Sequence, residues 1–128
     1  MDIVTKKLLN ILILLAEADK YFAKVEREMI MRIAKEKNFS EEDVLNLIKN
    51  PEPIESLGAL TTEQKFEYLY TLIDLIFADH NIFESELVFS KNIAIKLGFK
   101  KEVIDYFVNN YSQKTRTEIK AVVLSQFV

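Results

Sequence analysis

The chain predicts an all-α fold: a single domain of about seven helices, built by doubling a helix-turn-helix pair. Three observations carry that prediction. The 128 residues are 49% apolar, with no Cys, two Gly and two Pro, the composition of a helical globular protein. Apolar residues recur at helical spacing along most of the length. Finally, Ala18-Asp19-Lys20-Tyr21-Phe22-Ala23-Lys24-Val25-Glu26 returns sixty residues later as Ala78-Asp79-His80-Asn81-Ile82-Phe83-Glu84-Ser85-Glu86. A gapless alignment of residues 12–48 with 72–108 gives ten identities in 37 positions, where chance supplies roughly three.

The first helix, residues 3–18, keeps Val4, Leu8, Ile11, Leu12, Leu15 and Ala18 on one stripe, and Ile13 and Leu14 widen that stripe until it nearly encircles the helix. It is expected at the centre. After the elbow, Val25, Met29, Ile30, Ile33 and Ala34 form a narrower stripe beside Arg27, Arg32, Lys35 and Lys37, as in a helix with one face in water that ends near Lys37. Ser40 is placed to cap a third helix, with Glu41, Glu42 and Asp43 in the first turn where the helix dipole favours them and Val44, Leu45, Leu47 and Ile48 facing inward. Pro51 and Pro53 stop it.

Residues 50–61 hold both prolines and read as the connection between two halves, about 3–49 and 62–110. Thr61-Thr62-Glu63-Gln64 is a capping box for a fourth helix, whose Phe66, Leu69, Leu72, Ile73, Ile76 and Phe77 match the broad apolar surface of the first. These two helices are expected to cross in the middle. A fifth carries Leu87, Phe89, Ile93, Ala94 and Leu97 and stops at Gly98, a residue suited to the left-handed position after a helix. A sixth, about residues 100–110, buries Val103, Ile104, Phe107 and Val108. Thr115-Arg116-Thr117-Glu118 is a second capping box and opens a last helix, about 115–126, with no counterpart in the first half; Ile119, Val122, Val123 and Phe127 form its apolar side.

Composition also excludes classes of function. Seventeen basic and twenty acidic residues leave a dispersed net charge of −3, which gives no electrostatic basis for nucleic-acid binding. The lack of Cys removes thiolate zinc sites and thiol chemistry and fits a cytoplasmic protein. The apolar run at residues 8–16 is too short to span a bilayer and is cut off by Glu17, Asp19 and Lys20, so neither membrane insertion nor a cleaved leader is expected.

The chemistry that remains lies at the two elbows. Asp19 and Asp79 close a helix, at the pole that disfavours a carboxylate by some tenths of a kcal/mol, while Glu26 and Glu86 enter the favourable pole of the next helix. Two readings account for this. In one, each Asp accepts backbone N–H groups of its own turn or caps the following helix, and the elbows are structural. In the other, both elbows converge and offer an oxygen-rich cluster to a divalent cation.

The doubled pattern Ala-Asp-x-x-apolar-x-x-x-Glu, each copy closing the first helix of a pair, resembles the TerB-like (tellurite resistance protein B) domain family over roughly residues 3–110. The resemblance implies a helical fold with acidic residues gathered at the elbows, a divalent-metal site at Asp19, Glu26, Asp79 and Glu86, and a role in stress responses without enzymatic activity. The chain departs from the family in one respect. Lys20 and His80 stand where the family has Gly after the Asp, so a left-handed turn there is costlier, and Lys20 can neutralise Asp19 without a metal.

His80, the single histidine, is a candidate fifth ligand. The loop around it lacks the alternating oxygens and central Gly of an EF-hand. Two glycines cannot build a phosphate-cradling loop, and one histidine with no Gly-flanked serine offers no nucleophile arrangement, so no enzyme is expected. The alternative to a metal site is an interaction module that binds a protein partner or a second copy. Its surface would draw on Tyr21, Phe22, Phe83, Tyr106, Phe107, Tyr111 and Phe127, a supply of rings exceeding what a small core hides.

Overall fold

The helix α1 (Ile3–Glu17) is the hub on which the other elements assemble. In the computed structural model, which describes residues 2–18, 24–54, 56–78 and 82–128, it packs against α2 (Lys24–Glu36), α3 (Glu41–Lys49), α4 (Thr62–Phe77) and α5 (Glu84–Lys96). α6 (Val103–Asn110) packs on α5, and α7 (Arg116–Gln126) packs on α6. No strand occurs among the described residues. One continuous buried cluster draws side chains from all seven helices, so the chain is a single domain.

The near-encircling apolar surface read from the first helix explains its position. Leu8, Leu9, Ile11, Leu12, Ile13, Leu15 and Ala16 are all buried, and α4 answers with Phe66, Leu69, Leu72, Ile73, Leu75 and Ile76. The two are also joined through Tyr68, whose hydroxyl donates to the Val4 carbonyl. Burial pushes the Tyr68 phenol well above its ordinary pKa, so it stays a donor.

The helix starts follow their capping chemistry. Ser40 Oγ accepts the Asp43 N–H at 3.1 Å, and the Thr61–Gln64 and Thr115–Glu118 boxes both close reciprocally. α1 has a cap that the sequence reading did not assign: Asp2 accepts the Val4 N–H at 3.0 Å and the Thr5 hydroxyl at 2.9 Å, and these bonds hold its carboxyl below the usual carboxylate range. The ends of α2 and α5 match. Asn38 (φ 61°) and Gly98 (φ 94°) take the left-handed position sixty residues apart. The following Phe39 and Phe99 donate back to Ala34 and Ala94 at 2.8 and 2.9 Å, closing a Schellman motif in each case.

Two positions expected to face inward do not. Leu45 is 44% exposed, because Val44, Leu47 and Ile48 set the apolar stripe of the short α3 and Leu45 lies about 100° away from Val44. Val25 is 39% exposed, at the lip of a cleft between α2 and α4. The connection 50–61 is pinned to α1: the Asn10 amide donates to the Glu52 carbonyl at 2.8 Å and accepts the Glu52 N–H at 2.9 Å, and Leu57 is buried. Among the described residues, no helix is long and apolar enough to cross a membrane.

Candidate functional site

Glu26 and Glu86 are the third residues of α2 and α5, and both are buried, at 1% and 2% exposure. A carboxylate in the first turn of a helix faces the positive end of its dipole. Glu86 uses that position to accept the Phe83 N–H at 3.3 Å. This is half of a capping box, since a phenylalanine has no side-chain acceptor with which to complete it. Asp19, Asp79 and His80, the other candidate metal ligands, lie outside the described residues. Among the described residues, no group of three or more His, Asp or Glu side chains is arranged to hold a metal ion.

The rings expected to form a surface patch are largely an extension of the core. Phe107 is fully buried, Tyr106, Tyr111 and Phe127 are partly buried, and Phe83 is 38% exposed; Tyr21 and Phe22 lie outside the described residues. α4 and α6 meet through rings: Phe107 is 6.1 Å from Phe66 and 5.9 Å from Tyr70, centroid to centroid, and Tyr70 is 6.0 Å from Tyr111. From α7, Arg116 covers Tyr70 at 4.9 Å and Phe66 at 5.6 Å.

This array ends in a cleft that the sequence reading missed. α2 runs alongside α4 in the opposite direction, Val25 near Phe77 and Lys37 bridged to Glu67 at 2.9 Å, without packing closely onto it. Between them lie two adjoining hollows of about 610 and 490 Å³ that share Met29, Arg32 and Asp74. Asp74 is the polar centre. The Tyr111 hydroxyl donates to it at 2.5 Å, and the Tyr111 ring stacks on Phe77 at 4.5 Å. Burial raises the Asp74 pKa, while the Tyr111 hydrogen bond and the charges of Arg116 and Arg32 pull it partly back. The Tyr111 phenol is raised as well, by burial first and then by its bond to Asp74.

The corresponding pair in the other half is closed, because α5 packs directly on α1. α5 buries Ser90 and Ala94 one turn apart, where α2 has Ile30 and Ala34. The buried Ser90 hydroxyl has no hydrogen-bond partner among the described residues, which costs stability. One signal in the sequence pointed to the cleft: Asp74 interrupts the apolar run Leu72-Ile73-Asp74-Leu75-Ile76 at the position where Leu14 stands sixty residues earlier.

Chemically, the cleft offers an apolar wall of Val25, Met29, Phe77 and Tyr111, and a half-buried carboxylate facing a guanidinium. In comparisons with known proteins, no family model, curated protein or solved structure matches the chain.

Proposed function

We propose that this chain is a non-enzymatic, TerB-like binding module whose working surface is the α2/α4 cleft, and that its occupant is an amphipathic helical segment of a partner protein carrying a basic residue. The observation that carries this reading is Asp74: a half-buried carboxylate set among Met29, Phe77 and Tyr111, with its orientation fixed by the Tyr111 hydroxyl. Charge supports the choice of occupant. Glu28, Glu36, Glu67 and Asp74 line the cleft against Arg32 and Lys37, so an added cation is favoured over an added anion. The length supports it too. α2 has thirteen residues, about 20 Å, enough to flank three to four turns of a docked helix.

The doubled elbow motif and the matching helix ends at Asn38 and Gly98 support descent from a repeated helix pair and, with it, the TerB-like resemblance. A cytoplasmic role in a stress response of the tellurite-resistance type follows from that resemblance. On this reading Glu26 and Glu86 serve as first-turn carboxylates that order the starts of α2 and α5.

The test is selection from a displayed library of helical peptides. Basic amphipathic sequences should be enriched, and Asp74→Arg should abolish their binding while leaving the melting temperature within a few degrees. Failure to enrich any peptide, or binders indifferent to Asp74→Arg and Met29→Glu, would refute the proposal.

The second reading is a divalent cation held by Asp19, Glu26, Asp79 and Glu86 with His80. It is supported by the burial of two carboxylates at matching positions of two helices. It requires calcium, magnesium, manganese or zinc to raise the melting temperature, and Asp19→Asn with Asp79→Asn to remove the effect.

A further inference from the structure

A second concavity lies where the connection crosses the N-terminal half of α1. We propose that it binds a small amphipathic anion, an apolar tail ending in a carboxylate. The hollow has a volume of about 180 Å³ and apolar walls made by Ile3, Ile11, Pro53, Ile54 and Leu57. The sequence accounts for the space. Sixty residues on, Phe66 and Tyr70 stand at the helix positions of Lys6 and Asn10, and their rings, covered by Arg116, fill that side of α4. On α1 a lysine and an asparagine leave the volume open.

The polar groups around the hollow are committed with one exception. Asn10 is occupied on both sides by the Glu52 backbone, which holds the connection in place and fixes the width of the hollow. Lys6 pairs with the Glu52 carboxylate at 2.6 Å. Lys7 lines the same hollow and forms no ion pair among the described residues. At the mouth, Ile3 is 68% exposed, a large apolar side chain left in water unless something covers it. A fixed apolar hollow with one uncommitted ammonium at its edge matches a short carboxylate-bearing chain in both shape and sign. It is too small to take a helix, which separates it from the α2/α4 cleft, and the proposal does not depend on the function assigned there.

The experiment uses octanoate as the probe, with octanol and octyltrimethylammonium as the neutral and cationic controls, followed by amide and methyl NMR on the whole chain. Octanoate should shift the resonances of Ile11, Ile54 and Leu57 saturably and bind roughly fivefold more tightly than octanol, the upper range for an exposed ion pair. Lys7→Ala should remove that preference. Ile3→Glu, at an exposed site that leaves the core intact, should abolish octanoate binding. Equal binding of all three probes, shifts centred elsewhere, or no saturable shift in the native protein would overturn the proposal.

Discussion

α2 and α5 are written from similar sequences and dock differently. Both are thirteen residues long, begin sixty residues apart, bury a glutamate in the first turn and end in the same Schellman motif. Yet α5 lies on α1, while α2 stands off α4 and leaves a cleft. The difference comes from a few side chains at the facing surfaces. α2 and α4 present Met29, Arg32 and Asp74 to the cleft, where the equivalent positions of α5 and α1 are Phe89, Asn92 and Leu14. On the proposed reading, two helices of similar sequence serve differently, one packed for stability and the other standing off a cleft that receives a partner.

Substitutions that exchange the two halves test this comparison. The largest effect is expected where rings replace close helix contact. Phe107→Ala should cost about 3–5 kcal/mol by urea unfolding, because Phe66 and Tyr70 lose the ring between α4 and α6. Leu47→Ala, at the matching position of α3, should cost nearer 2 kcal/mol; a larger loss at Leu47 than at Phe107 would show that the rings do not carry that interface. Ser90→Ile, which writes the α2 residue into α5, should overpack the buried side of α5 and cost about 1–3 kcal/mol. Ser90→Ala should be neutral or slightly stabilising, since it removes a buried hydroxyl with no partner among the described residues. A loss above about 1 kcal/mol for Ser90→Ala would mean that the hydroxyl has a partner after all.

The helix ends give a smaller, paired effect. Gly98→Ala should cost about 1 kcal/mol because alanine resists a φ of 94°, while Asn38→Gly should gain a few tenths at its φ of 61°. Thermal melts that place both changes on the same side of zero would contradict the assigned geometry.

The smallest effect is one of pH. The Asp74 pKa is raised by burial, so the folded protein holds a proton there in a window above the ordinary value of 3.8 where the unfolded chain does not. As pH falls through that window, the native protein gains stability relative to Asp74→Asn, so the advantage of the variant should be full at neutral pH and gone below the ordinary carboxylate range. Tyr111, Arg32 and Arg116 remain in place in both proteins, which isolates the carboxyl. A difference in melting temperature that stays constant between pH 7 and pH 4 would argue against the burial of Asp74.

The sequence revealed the helices and concealed the cleft, for physical reasons. Periodicity in residues 3–18 and the caps at Ser40, Thr61 and Thr115 are local signals, and each corresponds to an observed helix or start. Asn38 escaped notice because asparagine takes the left-handed conformation without the advertisement a glycine gives. Leu45 was misplaced because a nine-residue helix shows too few turns to fix its inward face. The cleft depends on which helices pack closely and which stand apart, a property of tertiary packing; Asp74, a single acid in an apolar run, marked it in advance. The elbow pattern was plainly legible, but its Asp19, Asp79 and His80 fall outside the described residues, so its chemistry remains with the metal titration proposed above.

The most direct test of the account uses the methionines as reporters. Met29 lines the cleft and Met31 faces the opposite side of α2, beside Lys35 and Phe39. With methyl-labelled methionine, a basic amphipathic peptide recovered from the library should shift the Met29 methyl and leave Met31 in place, and Asp74→Arg should remove the shift. A peptide that moves Met31 and spares Met29, or a Met29 shift that survives Asp74→Arg, would contradict the claim that the open interface between α2 and α4 is where this protein binds.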